Sequence, residues 1–219
     1  SSYRVGAGRH FVIEGDEYDS AYFDKTAKFL KYLPDVAVIN NIEFDHADIY
    51  ADLEAVKLAF RRFMNLVPEN GRLIAGWDSP NVRAVVESFG PKLFTQLETF
   101  GTSNDARWQV RNADFSSGLS RFEVFRDQQL WGEFETQLLG EFNLLNCLAV
   151  IIAADAWGVS REKIQGALKS FKNVKRRAEI RGEQRGVLVI DDFAHHPTAV
   201  RETLRALRAR YQGRRLIAI

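Results

Sequence analysis

The chain contains one cysteine, one methionine and five prolines among its 219 residues, and it has no long apolar run. A single cysteine, Cys147, cannot form an internal disulfide, which excludes a disulfide scaffold and indicates a reducing compartment. A membrane-spanning helix needs roughly 18 consecutive apolar residues, and no run approaches that length. The first residues also lack the pattern of a signal peptide. We therefore expect a cytoplasmic protein without a membrane partner.

The chain also lacks a dominant charge, because 30 Lys and Arg residues are balanced by 29 Asp and Glu residues. A net charge of +1 supplies no overall field for nucleic acid, so we expect no nucleic-acid partner. Hydrophobic residues make up 46% and charged residues 27%, which is typical of a soluble globular protein. A chain of this length holds one large domain, or one domain and part of another. The sequence carries no signal for an oligomeric state.

Two polar clusters near the start of the chain each follow a short apolar run. Residues 11–13 lead into E-G-D-E-Y-D, which begins at Glu14, and Val36–Ile39 leads into N-N-I-E-F-D-H, which ends at His46. If both runs are strands of an open α/β sheet, the clusters lie outside the carboxyl ends of the strands, where ligands bind. A carboxylate and an imidazole from two such ends can converge on one cation. The alternatives are a solvated acidic turn and a surface histidine.

The pattern of apolar residues predicts alternating strands and helices, interrupted by three short aromatic-rich runs between residues 108 and 137. Those three runs predict an antiparallel meander that extends the sheet. Helices are expected at residues 52–67, 80–89, 143–157 and 160–170, and a further strand at residues 73–75. The predicted fold class is therefore α/β, with a mostly parallel sheet, helices and a small antiparallel meander over a domain of residues 1–171.

The pattern restarts after a basic stretch at residues 172–177. Strands at 178–181 and 187–190, a helix at 197–211 and a buried strand at 216–219 predict a second α/β unit over residues 172–219. Both ends of the chain run directly into predicted strands. We therefore expect a piece of a longer polypeptide that contains only the beginning of this second domain.

Asn143 and Asn146 lie three residues apart near the start of a predicted helix, and so share one helix face. An amide offers both a donor and an acceptor, which suits recognition of a base or a sugar. The alternative is an ordinary helix cap beside a second surface residue.

Three further candidates lie in the second unit. Arg177 ends the basic stretch and is either a phosphate ligand or a solvated linker charge. Asp192 and His195 follow the strand at 187–190 and precede Pro197, which is well placed as a first helical residue. Polar groups between a strand end and a helix N-terminus form a natural anion site.

In order along the chain, E-G-D-E-Y-D, N-N-I-E-F-D-H-A-D, G-E-F-N-L-L-N, R-R and D-D-F-A-H-H-P resemble the Mur ligase family. These are ATP-dependent amide-forming enzymes of peptidoglycan synthesis. The resemblance implies a central ATP-binding domain followed by the start of a Rossmann-like C-terminal domain. ATP and Mg²⁺ are the implied cofactors.

The resemblance also implies roles for single residues. Glu14 and His46 match magnesium ligands, and Asn143 and Asn146 match residues that hold the adenine end of ATP.

In the second unit, Arg177 and Asp192 match nucleotide contacts that domain closure supplies. His195 matches a histidine near the reacting groups, which makes it the candidate catalytic residue.

Two segments, residues 22–25 with 28–29 and residues 41–50, are most similar to family members that recycle cell-wall peptide. Those members join UDP-N-acetylmuramate to the murein tripeptide L-alanyl-γ-D-glutamyl-meso-diaminopimelate, whereas others use L-alanine. From other classes, a metal-dependent phosphoesterase and a nucleic-acid module using residues 172–177 remain alternatives. The family's phosphate loop, G-T-x-G-K-[ST], does not occur here and is expected before Ser1. We therefore expect this piece alone not to turn over ATP.

Overall fold

The computed structural model describes residue 3 and residues 5–116 and 119–219, and within these the chain forms ten strands and five α-helices. The strands are β1 (Asp19–Ala21), β2 (Asp24–Ala27), β3 (Val36–Ile39), β4 (Arg72–Gly76), β5 (Gln96–Gly101), β6 (Trp108–Asp114), β7 (Ser120–Arg126), β8 (Gln129–Thr136), β9 (Glu179–Gln184) and β10 (Val187–Asp191). The helices are α1 (Leu53–Met64), α2 (Pro80–Glu87), α3 (Glu141–Ala156), α4 (Arg161–Ser170) and α5 (Pro197–Arg210).

The central feature is a six-stranded sheet in the order β3-β4-β5-β6-β7-β8. The first four strands are parallel, and β7 and β8 are added in antiparallel pairing. The predicted α/β class, with a mostly parallel sheet and a meander over β6 to β8, is confirmed. The sequence analysis missed β5, which pairs in parallel with β4 and continues the parallel part of the sheet up to the meander.

Helices cover both faces of this sheet. Leu73 packs in the core on the face that contacts α1 and α2, whereas its neighbour Ile74 packs in the core on the face that contacts α3. This alternation follows from the two-residue period of a strand. Helix α1 begins where the Asp52 side chain accepts a 2.8 Å hydrogen bond from the backbone N–H of Ala55, a typical N-terminal cap.

One charged side chain, Glu98 of β5, is buried at the sheet, with 3% of its surface exposed. Its carboxylate accepts hydrogen bonds from Arg72 Nη1 (3.0 Å), Arg107 Nη1 (3.1 Å) and Trp108 Nε1 (2.8 Å). These three donors compensate the desolvation of the charge, so the buried carboxylate is fully paired.

The C-terminal region consists of the antiparallel hairpin β9–β10 followed by α5. The sequence predicted the two strands and the helix, but not the antiparallel pairing of the strands. The proposed domain boundary at residue 171 stays a prediction. None of the described helices is long and apolar enough to cross a membrane.

Two predicted strands are wrong. Residues 11–13 and 216–219 form no strand, and Phe11 and Ile217 are 83% and 71% exposed. A strand needs a neighbour for its backbone N–H and C=O groups, and no described residue pairs with either segment. In place of a strand at 11–13, the first ordered pairing is the hairpin β1–β2, which the sequence analysis did not anticipate.

Candidate functional site

The loop after β3 approaches the neighbouring strand very closely. A Cβ atom on Gly76, at the end of β4, would lie 2.0 Å from the carbonyl oxygen of Asn40. Only glycine fits such an approach. This contact fixes the start of the loop that carries His46. At His46 itself the backbone φ is 57°, and its N–H donates to Asp45 Oδ1 at 2.7 Å.

The two polar clusters of the sequence analysis, E-G-D-E-Y-D and N-N-I-E-F-D-H, lie side by side and are called the acidic clusters below. His46 Nε2 is 3.1 Å from Glu17 Oε1, and the Tyr50 hydroxyl donates to the carbonyl oxygen of Glu17 at 2.6 Å. The Tyr18 hydroxyl donates to the Asp48 carboxylate, which raises the pKa of Tyr18 and lowers the pKa of Asp48. The geometry therefore confirms that the two acidic clusters converge.

The carboxylate that contacts His46 is Glu17 and not Glu14. Glu14 is exposed and makes no hydrogen bond or ion pair with any described residue. Among the described residues, no three acidic, histidine or cysteine side chains are grouped to hold a metal ion by themselves. The pairing of Glu14 with His46 at one cation therefore stays a prediction. Glu17 was missed, although it belongs to the quoted E-G-D-E-Y-D motif.

A row of three amides joins the start of α3 to the end of β3. Asn143 Nδ2 donates to the Leu139 carbonyl at 2.8 Å, and Asn146 Nδ2 donates to Asn143 Oδ1 at 3.5 Å. Asn40 Nδ2 then donates to Asn146 Oδ1 at 3.3 Å. The helix is capped by Gly140, so the alternative that Asn143 is the cap is wrong. The shared face of Asn143 and Asn146 is confirmed, and Asn40 is an additional member that the sequence analysis did not single out.

The carboxylate of Asp192 organises the turn between β10 and α5. It accepts backbone hydrogen bonds from Ala178 N (2.7 Å) and Ala194 N (2.8 Å), and the Thr203 hydroxyl lies 3.4 Å away. Both oxygens are therefore engaged within the chain. His195 is exposed, and its Nδ1 lies 3.0 Å from the Phe193 carbonyl oxygen.

Arg177 is also exposed and lies beside the same turn. Its guanidinium is 6.0 Å from the centre of the Phe193 ring, and that of Arg176 is 4.9 Å away. The structure thus groups three of the predicted site residues, Arg177, Asp192 and His195, around Phe193. Their roles toward a nucleotide stay predictions.

The two parts of the candidate site meet at Glu43. Its Oε2 is 3.0 Å from the Thr198 hydroxyl and 3.3 Å from His196 Nδ1, while Oε1 accepts from Asn41 Nδ2 at 3.1 Å. The sequence analysis quoted Glu43 and His196 within motifs but assigned them no role, because sequence spacing does not reveal a contact such as that of Glu43 with Thr198, 155 positions away. The site therefore combines the loop after β3, the start of α3 and the turn before α5.

Comparison with known protein families assigns both regions of the chain. The Mur ligase middle domain matches residues 5–154, and the Mur ligase, glutamate ligase domain matches residues 176–219. The chain belongs to the Mur ligase family. The family's middle domain thus contains the sheet and both acidic clusters, and the second match contains the turn with Asp192 and His195.

Individual relatives refine the comparison. A UDP-N-acetylmuramate–L-alanyl-γ-D-glutamyl-meso-2,6-diaminoheptandioate ligase from Escherichia coli is 41% identical over 219 residues, all of this Mur ligase chain and 46% of that protein. A UDP-N-acetylmuramate–L-alanine ligase from Myxococcus xanthus is 34% identical over 217 residues, 99% of this chain and 43% of that protein. The crystal structure of a murein peptide ligase from Psychrobacter arcticus aligns with a TM-score of 0.68 and 33% identity, covering 94% of this chain and 41% of that one. This chain spans less than half the length of each of these relatives.

Proposed function

We propose that this chain is the ATP-binding part of a ligase that joins UDP-N-acetylmuramate to L-alanyl-γ-D-glutamyl-meso-diaminopimelate in peptidoglycan recycling. The observation that supports it most is the 41% identity, over the whole chain, to the Escherichia coli enzyme named for this reaction. The L-alanine ligase from Myxococcus xanthus, at 34%, is the alternative within the family. Membership of a ligase family favours this function over a phosphoesterase or a nucleic-acid module. The proposal includes a cytoplasmic location, which agrees with the single Cys147.

The amide row supports a role in holding the adenine end of ATP. Asn143 and Asn146 are fixed relative to each other and to the Leu139 carbonyl, so their free donor and acceptor positions are preorganised. The proposal assigns the exposed guanidinium of Arg177 to the phosphates of ATP.

The acidic clusters have a donor set that fits Mg²⁺. This ion usually takes one or two protein carboxylates and completes its shell with water and phosphate oxygens, so it does not require a closed protein cage. Glu14 offers a carboxylate that pairs with no described residue, and Glu17 beside Nε2 of His46 favours the tautomer that leaves Nδ1 free to bind a metal ion. A bound Mg²⁺ would neutralise the charge of the transferring phosphoryl group.

In the proposed reaction the muramoyl carboxylate takes the γ-phosphoryl group of ATP, and ADP leaves. The peptide amine then attacks the carbonyl carbon of this acyl phosphate, and inorganic phosphate leaves as the amide forms. The contribution of this chain is to position the nucleotide and stabilise charge. Asp192 holds the turn in shape through the N–H groups of Ala178 and Ala194. The proposal assigns His195, which is exposed on that turn, to the reacting groups.

The full-length polypeptide that carries this chain tests the proposed reaction. With ATP, Mg²⁺ and UDP-N-acetylmuramate, we expect ADP release that depends on the tripeptide and exceeds the rate with L-alanine by at least about tenfold. A preference for L-alanine would assign the alternative ligase. Phosphate release without any acceptor amine would instead favour a phosphoesterase.

Substitution of the proposed metal ligands gives the corresponding site-level prediction. We expect Glu14→Ala and His46→Ala each to lower turnover by roughly a thousandfold in that polypeptide, because charge stabilisation of phosphoryl transfer is worth several kcal/mol. Glu69→Ala, which removes an exposed carboxylate in the turn before β4, is the matched control and should retain normal turnover. Normal activity of both site variants at saturating Mg²⁺ would contradict the metal assignment.

A further inference from the structure

Helix α5 begins without a side-chain cap of its own. Its N-cap residue, His196, makes no capping hydrogen bond with its side chain, and Pro197 occupies the first helical position. The unpaired N–H groups and the helix dipole leave partial positive charge at this end. A carboxylate placed there is stabilising, and the C-terminal region does not supply one in the first turn of α5.

The carboxylate comes from the other half of the chain. Glu43, in the loop after β3, accepts a 3.0 Å hydrogen bond from the hydroxyl of Thr198, the second residue of α5, and lies 3.3 Å from His196 Nδ1. The side chains of Glu43 and His196 are half-buried, at 34% and 31% exposure. Asn41 holds the second carboxylate oxygen and so orients the group. The other oxygen of Glu43, Oε2, therefore faces the N-terminus of α5.

We propose that Glu43 is a positioning residue that docks the N-terminus of α5 onto the loop after β3. The turn carrying Asp192 and His195 immediately precedes α5, and Thr203 on the helix lies 3.4 Å from Asp192. Placing the start of α5 therefore also places this turn relative to the amide row of Asn143 and Asn146.

Contacts further along α5 make the second half of the helix a pivot for its first half. Ala206 packs against Gly140, and Arg210 Nη1 lies 3.5 Å from the Phe115 carbonyl oxygen. These contacts hold the second half of the helix whatever happens at its first turn. Loss of the Glu43 carboxylate therefore frees the first half of α5, together with the turn, while the second half stays attached.

The docking itself does not depend on the proposed function, whereas its consequence for nucleotide-dependent ligation rests on it. The test accordingly uses no substrate. Hydrogen exchange of the full chain is measured for the amides of residues 200–204 and, separately, residues 205–210, in Glu43→Ala, Glu43→Gln and Thr198→Val. Glu54→Ala removes an exposed carboxylate on α1 that pairs with Lys57 and is the matched control.

We expect Glu43→Ala to raise exchange over residues 200–204 by at least about threefold, with residues 205–210 and the unfolding midpoint unchanged. Glu43→Gln should give a smaller increase, because its amide oxygen still accepts from Thr198 but carries no charge. Combining Glu43→Ala with Thr198→Val should add nothing beyond Glu43→Ala alone, because both remove the same contact.

Three results would overturn the docking role. Unchanged exchange over residues 200–204 in Glu43→Ala would show that the carboxylate does not hold α5. An equal increase in Glu54→Ala would show a nonspecific effect of charge. A uniform increase over residues 200–210 would show general loosening of the fold in place of a pivot. Failure of the ligation assay leaves all three readouts unaffected, so the two proposals fail independently.

Discussion

The central region, residues 19–170, and the C-terminal region, residues 179–210, differ most in how they are held. The central region contains two apolar cores, one on each face of the sheet. Among the described residues beyond 171, only Leu207 is buried. Hydrophobic burial therefore fixes the internal arrangement of the central region, whereas the C-terminal region is placed mainly by polar contacts and by one helix.

The candidate site is built across this difference. Asn143 and Asn146 begin a helix whose residues Leu144 and Leu148 are fully buried, so their position is as stable as the core. Asp192 and His195 depend on the surface contacts of α5. A substitution that leaves the amide row unchanged can therefore still displace the turn. The half of the site on α3 is thus held by the apolar core, whereas the half before α5 is held by surface contacts.

The largest expected effect is on the reactivity of Cys147, which lies in the core of the central region with 3% exposure. Burial raises the pKa of its thiol to about 11. We expect Cys147 in the native chain to react with a disulfide reagent at pH 8 at least about a thousandfold more slowly than a free thiol, because it is both protonated and inaccessible. The matched comparison is Arg185→Cys, which places a thiol in the exposed turn of the C-terminal hairpin. This thiol should react as a free thiol.

The same pKa gives the direction of a pH effect. Between the unfolded value of 9.0 and about 11, native Cys147 keeps a proton that the unfolded chain has lost. Its contribution to stability is therefore complete below pH 9 and declines as the pH rises through this window. Equal labelling rates for Cys147 and the Arg185→Cys thiol would break the distinction between the two regions.

A second prediction concerns the buried carboxylate of the central region. Glu98→Ala leaves the side chains of Arg72, Arg107 and Trp108 without their shared acceptor. We expect the free energy of unfolding to fall by about 3 kcal/mol, measured by urea denaturation, because one partner of a buried charged network is lost. Glu183→Ala in the C-terminal region removes a carboxylate that is 47% exposed and pairs with Arg214, and should cost at most about 0.5 kcal/mol. Similar losses for both variants would contradict the contrast.

The sequence predicted the parts of the fold whose apolar pattern is strong. The buried strand β3 was predicted over Val36–Ile39, where the structure has it, and helix α5 was predicted to begin at Pro197. The two wrong strands, at residues 11–13 and 216–219, have an equally apolar composition. Composition reports the preference of a segment, whereas a strand also requires a partner in space.

The residues of the candidate site divide in the same way, into those that local motifs indicate and those that only packing brings together. Residues in local motifs, such as Asn143, Asn146 and Asp192, became candidates through those motifs and the family resemblance that the motifs carry, and their roles stay predictions. The contacts of Glu17 with His46 and of Glu43 with Thr198 join residues that are 29 and 155 positions apart. No periodicity encodes such a pairing, because it results from how the elements pack. The sequence therefore indicated which segments carry the chemistry but not which side chains meet.

A third prediction, with a smaller expected loss than Glu98→Ala, tests the border between the two regions. Gly140, which caps α3, has a φ of 88° and a ψ of 151°, a conformation that only glycine adopts readily. A Cβ atom there would also lie 2.7 Å from Cβ of Ala206 on α5. We expect Gly140→Ala to lower the free energy of unfolding by about 2 kcal/mol and to increase hydrogen exchange over residues 205–210.

Two further variants separate the causes of this loss. Gly166→Ala replaces a glycine within α4 whose Cβ would meet nothing within 4 Å, and should stabilise the chain by about 0.5 kcal/mol. Adding Ala206→Gly to Gly140→Ala removes the steric contact with α5, but it leaves the contact of the new Cβ with the Phe142 ring at 2.9 Å and the backbone strain, both of which lie within the start of α3. If exchange over residues 205–210 then returns toward that of Ala206→Gly alone while the cost in unfolding free energy persists, α5 is held against the central region by this packing contact. If exchange stays high, strain in the cap of α3 is what reaches α5, and the two regions are more closely coupled than their burial indicates.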